Sequence, residues 1–256
     1  MKKVAIVTGA SSGIGWEFAL HLDKEEPFDE IWLIARRKSR LEAMVAGSEG
    51  KLRAVPLDLT DRSSFERVKQ ILQKEQPQIR YLINAAGAGR MGNVEEIDYK
   101  DHAFVLDINV TALTCMSRVC LPYMCKGSRM IQLCSGSAFL PQPEFASYAA
   151  SKAYVLSFSR ALRQEVKSKG ITVTAVCPGP VNTEFFEAAG SEIAPAKKRF
   201  MAESKNVVEK ALKDAKAGKE LSVYGVSMKF VHLAGKLLPT RAVLSVMNQM
   251  MTKNEE

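Results

Sequence analysis

The apolar, β-branched run Lys3–Thr8 (KVAIVT) stops at Gly9. A turn carrying Gly9, Gly13 and Gly15 then leads into a segment where Ile14, Phe18 and Leu22 recur at helical spacing. A short run with no polar alternation reads as a strand buried on both faces, which calls for helices on either side of a parallel sheet. Glycines between such a strand and a helix permit a tight turn and close approach of a diphosphate. The helix N-terminus adds free N–H groups and a positive dipole end.

The pattern repeats down the chain. Strand-like runs at Glu30–Ala35, Leu52–Leu57, Arg80–Asn84, Met130–Cys134, Ile171–Val176 and Leu221–Tyr224 follow the first. Helical segments lie between them at Arg40–Val45, Asp61–Gln76, Asp98–Met124, Ser147–Lys169 and Asn206–Lys216. Gly47 and Gly170 stop two of these helices; Thr60 is placed to cap another, with Pro77 just beyond its end. Such alternation predicts an α/β fold: a single-domain, Rossmann-type doubly wound parallel sheet of about seven strands with helices on both faces, over residues 1–256.

Composition narrows the class. With 46% hydrophobic and 25% charged residues the chain can bury a large core, which excludes a disordered protein. The apolar part of MKKVAIVTGA is too short for a secretory core or a membrane span, so no integral membrane segment and a cytoplasmic location are expected. Five cysteines without a CxxC pair, and three histidines, read as buried free thiols with no metal site. The net charge of +8 marks a basic surface that attracts anionic ligands; no nucleic-acid partner is expected.

In a parallel sheet of this kind ligands bind beyond the carboxyl ends of the strands. The glycine turn, Asp58, Asn84, Ser135 and the CPGP segment all fall there. The end of the second strand selects the dinucleotide. An NAD site carries an acid at that point to hold the ribose hydroxyls. Here Ala35 is followed by Arg36, Arg37 and Lys38. No carboxylate repels a 2′-phosphate, and guanidinium groups can fork onto one, so NADP(H) is favoured. Asp58 either accepts from the adenine amino group or serves its own turn.

Tyr148 and Lys152 are four residues apart at the start of a helix, on one face of it. A phenol ionises near pH ~10, and an adjacent ammonium favours the phenolate. The pair is a plausible acid/base device, with Ser135 thirteen residues before the tyrosine and Ser137 as an alternative serine.

Together these motifs resemble the short-chain dehydrogenase/reductase superfamily over nearly the whole chain. TGASSGIG at 8–15 is similar to its glycine motif, and NAAG at 84–87 to its N-N-A-G, with Ala85 replacing the second Asn. Asn109, Ser135, Tyr148 and Lys152 match its catalytic set, and PGPVNT at 178–183 its P-G-x-V-x-T. The resemblance implies hydride transfer between a nicotinamide and a carbonyl or carbinol carbon. Tyr148 would exchange the proton, Ser135 would place the substrate oxygen, Lys152 would lower the tyrosine pKa and bind the nicotinamide ribose, and Asn109 would hold a relay water. It also carries Gly9, Ser11, Ser12, Gly13, Ile14, Gly15, Arg36, Arg37, Asp58, Leu59, Asn84, Ala85, Tyr148, Lys152, Pro178, Gly179, Val181 and Thr183 onto the cofactor. A homodimer or homotetramer built through helices 98–124 and 147–169 would follow.

The substrate is less constrained. Ser135, Phe139, Leu140, Phe185 and Phe186, with Pro141, Arg90 and Met91 nearby, read as an apolar pocket for a small apolar ketone or alcohol. Residues 185–203 read as a lid, on which Lys197, Lys198 and Arg199 would face solvent or an anionic group. The helical tail 226–256, apolar with spaced cations and interrupted by Pro239, would cap the pocket, pack on a neighbour or touch a membrane surface. A hydroxysteroid dehydrogenase is the most specific expectation. A 3-oxoacyl (carrier protein or coenzyme A) reductase is the alternative, and a catalytically silent NADP(H)-sensing protein the alternative of another class.

Overall fold

Side chains alternate between the two faces of a strand, so an apolar strand supplies both halves of a layered core. The computed structural model describes all residues except 26, 49, 191–200, 242, 243 and 246–256. Its strands are β1 (Lys3–Thr8), β2 (Glu30–Ala35), β3 (Leu52–Pro56), β4 (Gln78–Asn84), β5 (Met124–Leu133), β6 (Thr172–Cys177) and β7 (Leu221–Val223). Its helices are α1 (Gly13–Glu25), α2 (Lys38–Ala46), α3 (Ser63–Glu75), α4 (Tyr99–Leu106), α5 (Ala112–Cys120), α6 (Ala146–Glu165), α7 (Phe185–Ala188), α8 (Ser204–Lys216) and α9 (Val226–Leu237). All strands are parallel, in the order β3-β2-β1-β4-β5-β6-β7.

Ala5, Val7, Ile31 and Leu33 pack on one face with Phe18, Leu22, Leu41 and Val208 from α1, α2 and α8. Val4, Ile6, Trp32 and Ile34 pack on the other with Phe65, Leu72, Met116 and Leu162 from α3, α5 and α6. Each fully buried aliphatic or aromatic side chain contributes roughly 1.5–3 kcal/mol relative to exposure, against the entropy of ordering it. The result is the expected doubly wound fold. Its strand order reverses between β1 and β4, where such sheets open a crevice.

Several boundaries differ from expectation. The helical segment expected over 98–124 runs from Tyr99 to Tyr123, but with a π turn at Asp107–Thr111 between α4 and α5 and a 3-10 turn at Leu121–Tyr123 that holds Pro122. The run Tyr99–Tyr123 has the length and mean hydropathy (1.5) of a membrane span, yet Leu113, Met116 and Cys120 are buried in the core and Asn109 is fully buried. β5 begins at Met124 rather than Met130, because Met124 pairs with Ile79 across an irregular step that Gly127 takes at φ +84°. Thr60 does not cap α3. Its hydroxyl donates to Asp58, and the Asp61 carboxylate accepts from the Ser63 N–H at 2.9 Å. Gly170, at φ +67°, ends the extension of α6 as expected.

Candidate active site

The glycine turn is built against backbone, not side chains. A Cβ on Gly9 (φ +68°) would lie 2.7 Å from the Ala86 nitrogen, and one on Gly15 would lie 2.3 Å from the Gly9 carbonyl oxygen. Thr8, a buried hydroxyl ending β1, accepts from the Ala85 and Ala86 N–H groups at 3.1 Å each. These contacts join the ends of β1 and β4 at the crevice. Across the turn, the Thr183 methyl lies 3.2 Å from where a Gly13 Cβ would be, so the PGPVNT segment closes the other wall. Val181, nearly buried, bridges to Ala202.

At the end of β2 the two arginines behave differently. Arg37 donates to the Ser11 and Ser12 hydroxyls at 3.1 and 2.6 Å, and to Glu184 at 2.8 Å. Arg40 donates to the other Glu184 oxygen at 2.5 Å. Both guanidinium groups hold the Glu184 carboxyl below its usual range. Arg36 is mostly exposed, over the Phe104 ring, with Asp58 at 4.0 Å. This set fits an anionic dinucleotide: Arg37 is anchored on the turn itself, and Arg36 lies more exposed beside it.

Four residues expected on the cofactor turn their side chains elsewhere. Asn84 is buried beneath the crevice and donates to Gln132 at 2.9 Å and Ser117 at 3.2 Å, tying β4 to β5 and α5. Leu59 packs in the core with Leu57 and Phe65. The Asp58 carboxylate is occupied by its own turn, accepting from the Thr60 N–H and hydroxyl at 2.9 and 2.7 Å. Ile14 likewise packs partly on the core.

Ser135, Tyr148, Lys152 and Asn109 do converge. Ser135 lies just past β5 in extended conformation. Its hydroxyl accepts from the Ser137 N–H at 3.1 Å, donates to the Ser137 hydroxyl at 3.2 Å, and favours the ionised form of the neighbouring Tyr148 phenol. Ser137 therefore orients Ser135 rather than replacing it. The Pro178 carbonyl accepts from the Gly136 N–H at 2.8 Å, which brings the end of β6 against this turn. Asn109, at the centre of the π turn, accepts from the Ala88 N–H and donates to the Ala88 carbonyl, both at 2.9 Å, and also donates to Ser151. Ser151 in turn donates to the Tyr148 carbonyl at 2.6 Å. The irregular turn thus fixes the loop after β4 to the start of α6.

Burial dominates the electrostatics of the pair. Lys152 is buried, and burial brings its pKa down to about 8. Its ammonium donates to the Leu133 carbonyl at 2.8 Å and lies 5.5 Å from the centroid of the Tyr148 ring. Burial pushes the Tyr148 phenol up, and the Ser135 hydroxyl opposes this only in part, so Tyr148 is held as a protonated phenol here. Cys134, buried beside the pair, donates to the Lys152 carbonyl at 3.2 Å.

Aromatic rings wall the tyrosine. Phe145 stacks on it at 4.3 Å and Phe185 sits at 5.3 Å, with Phe186 on Phe185. A Cβ on Gly89 would meet Phe145 and Phe185 at 2.7 and 2.9 Å, so this loop closes tightly over them. Phe139 and Leu140 do not join this wall. Phe139 packs on His232 of α9, and Phe139 and Leu140 line a separate cavity of about 470 Å³ with Ala138, Pro141, Ala149 and Leu244. Arg90 is no pocket wall either: it pairs with Asp101 and donates to the Ala188 carbonyl. The lid is described only at its ends, and Lys197, Lys198 and Arg199 lie outside the described residues.

Phe145, Thr8, Ser151 and Glu184 were not singled out from sequence. A polar Thr directly after the apolar run Val4–Val7 is the one local signal. Glu184 has none, because its partners are over 140 residues away.

Comparison with known proteins follows this geometry. The family model described as short chain dehydrogenase matches residues 3–194. An uncharacterized oxidoreductase of Staphylococcus epidermidis is 29% identical over 199 residues, covering 77% of this chain and 85% of the relative. The 11-beta-hydroxysteroid dehydrogenase-like 3 protein of Arabidopsis thaliana is 32% identical over 189 residues, 72% of this chain and 60% of its own. Among solved structures, a short-chain dehydrogenase from Sphingobium yanoikuyae in complex with NADPH superposes with a TM-score of 0.79 at 27% identity, covering 95% of each chain.

Proposed function

The chain belongs to the short-chain dehydrogenase family of oxidoreductases, and from that premise we propose that it reduces the carbonyl of an apolar ketone with NADPH, or runs the reverse oxidation. The observation that carries the reading is the convergence of Ser135, Tyr148 and buried Lys152, whose ammonium lies 5.5 Å from the tyrosine ring, inside an aromatic wall. The glycine turn, Thr183 and the Arg36–Arg37 pair would hold the dinucleotide, whose nicotinamide supplies or accepts the hydride.

The chain's own residues handle the proton. Tyr148, kept as a phenol, donates to the substrate oxygen as negative charge develops there, and Ser135 donates a second hydrogen bond to the same atom. Lys152 favours negative charge on that tyrosine once its proton has left. Asn109 fixes the loop and helix that carry the proton-transfer groups. Phe145 and Phe185 exclude water and favour an apolar substrate.

A steroid-like ketone is the first substrate to test and a 3-oxoacyl thioester the second. A homodimer or homotetramer through α4–α5 and α6 belongs to the same proposal.

The test offers NADPH or NADH to the protein with a panel of apolar ketones, steroids and 3-oxoacyl thioesters. NADPH should be consumed in preference to NADH. Tyr148→Phe should lower turnover by about 10²–10⁴-fold, the usual weight of a positioned acid, while keeping NADPH affinity. Tight NADPH binding with no turnover across the panel would favour a dinucleotide-sensing protein. Turnover retained in Tyr148→Phe would remove the proton-donor role.

A further inference from the structure

The last helix, α9, has two faces of different character. Inward, Met228, His232 and Gly235 repeat at helical spacing over the catalytic turn. A Cβ on Gly136 would lie 2.6 Å from the Met228 sulfur, Phe139 packs on His232 with ring centroids 4.4 Å apart, and a Cβ on Gly235 would lie 2.6 Å from the Phe139 carbonyl oxygen. Outward, Val226, Phe230, Leu233 and Leu237 form a second stripe at i, i+4, i+7 and i+11. They are 69%, 68%, 52% and 71% exposed, and Leu238 extends the stripe. Helical geometry sets the exposed Lys229 and Lys236 together along one margin of it. From Leu221 to Asn254 the sequence has four cations (Lys229, Lys236, Arg241 and Lys253) and no Asp or Glu.

An outward apolar stripe bordered by lysines is the pattern of a helix lying in a membrane interface. The same face is poorly suited to a second copy. A two-fold contact sets a patch against itself, and this stretch supplies no carboxylate to meet its own lysines. We infer that α9 docks the protein on an anionic lipid surface, with Val226, Phe230, Leu233 and Leu237 at the acyl boundary and Lys229 and Lys236 on the headgroup phosphates. Because the inner face of α9 packs on the Ser135 turn, docking sets the catalytic edge, and the apolar cavity behind Phe139 and Leu140, next to the lipid.

The full chain is sedimented with phosphatidylcholine vesicles, with and without phosphatidylglycerol, and its mass is followed by sedimentation velocity without lipid. Co-sedimentation should require phosphatidylglycerol and weaken with added salt. Phe230→Asp should abolish it with an unchanged melting temperature, since the position is exposed. Lys229→Gln and Lys236→Gln should each weaken it about five-fold, the worth of one cation near such a surface. No binding, or equal binding to neutral vesicles, overturns the inference. So does a Phe230→Asp variant whose only change is a smaller oligomer, which would assign the face to another copy. None of these readouts depends on substrate or cofactor, so the proposed reaction stands or falls separately.

Discussion

A lysine with its ammonium in the core is costly while charged, and Lys152 is such a residue. Its folded pKa of about 8 lies below the ordinary 10.5. Between those values the unfolded chain binds the extra proton, so this group makes stability rise with pH across that window, and below it the full cost of about 3 kcal/mol applies. Lys152→Met should therefore be more stable than wild type at neutral pH by up to that amount. Urea unfolding of both proteins should show the gap closing as pH rises toward 10.5; a gap indifferent to pH would mean that Lys152 is not held as the structure shows. Glu184 makes the second prediction at this scale. Its carboxylate pairs with Arg37, one of the two arginines proposed for a 2′-phosphate, and with Arg40 beside it. These side chains are nearly half exposed, so each contact is worth only ~0.5–1 kcal/mol. Glu184→Gln should tighten NADPH about two- to five-fold in equilibrium titration and leave NADH unchanged; an equal effect on both would place Glu184 outside phosphate recognition.

At the level of elements, the π turn between α4 and α5 determines the site. One added residue in a helix turns a side chain inward at that point, and Asn109 uses it to satisfy both backbone groups of Ala88. Asn109→Ala would leave those partly buried groups without their partner, at a cost of about 1–3 kcal/mol. Asn109→Asp keeps the acceptor for the Ala88 N–H and loses the donor, so it should fall between. Urea titration and turnover, measured together, separate two roles: loss of turnover at unchanged stability would make Asn109 a relay residue alone, and parallel losses are expected if it positions the loop. The aromatic wall is a product of the same scale. Phe145 lies just before α6 and Phe185 begins α7, and they meet only because the Gly89 loop seats both.

Across the whole molecule, what the sheet leaves uncovered matters most. Tyr154 on α6 is 41% exposed, stacks on Phe158 and shares a hydrogen bond with Thr114 of α5; Leu106 at the end of α4 is 45% exposed. These are the helices through which the proposed dimer would form. Tyr154→Arg should shift sedimentation velocity from dimer or tetramer toward monomer, with little change in monomer fold; a wild type that is monomeric at micromolar concentration would exclude the assembly. The layered fold itself was legible in the sequence, because the interiors of runs such as KVAIVT and EIWLIA, Val4–Val7 and Ile31–Ala35, have no polar side chain to give to solvent and so demand cover on both faces. The order of glycine turn, Asn109, Ser135, Tyr148 and Lys152 was legible too, because their spacing sets which strand end or helix turn each occupies. Tertiary structure alone decided the rest. Asn84 and Leu59 face the core, Phe139 and Leu140 leave the catalytic wall for another cavity, Glu184 reaches Arg37, and burial keeps the proton on Tyr148. Each of these depends on what lies across the crevice or how far water is excluded, and contacts between residues far apart in the chain carry no local pattern from which to read them.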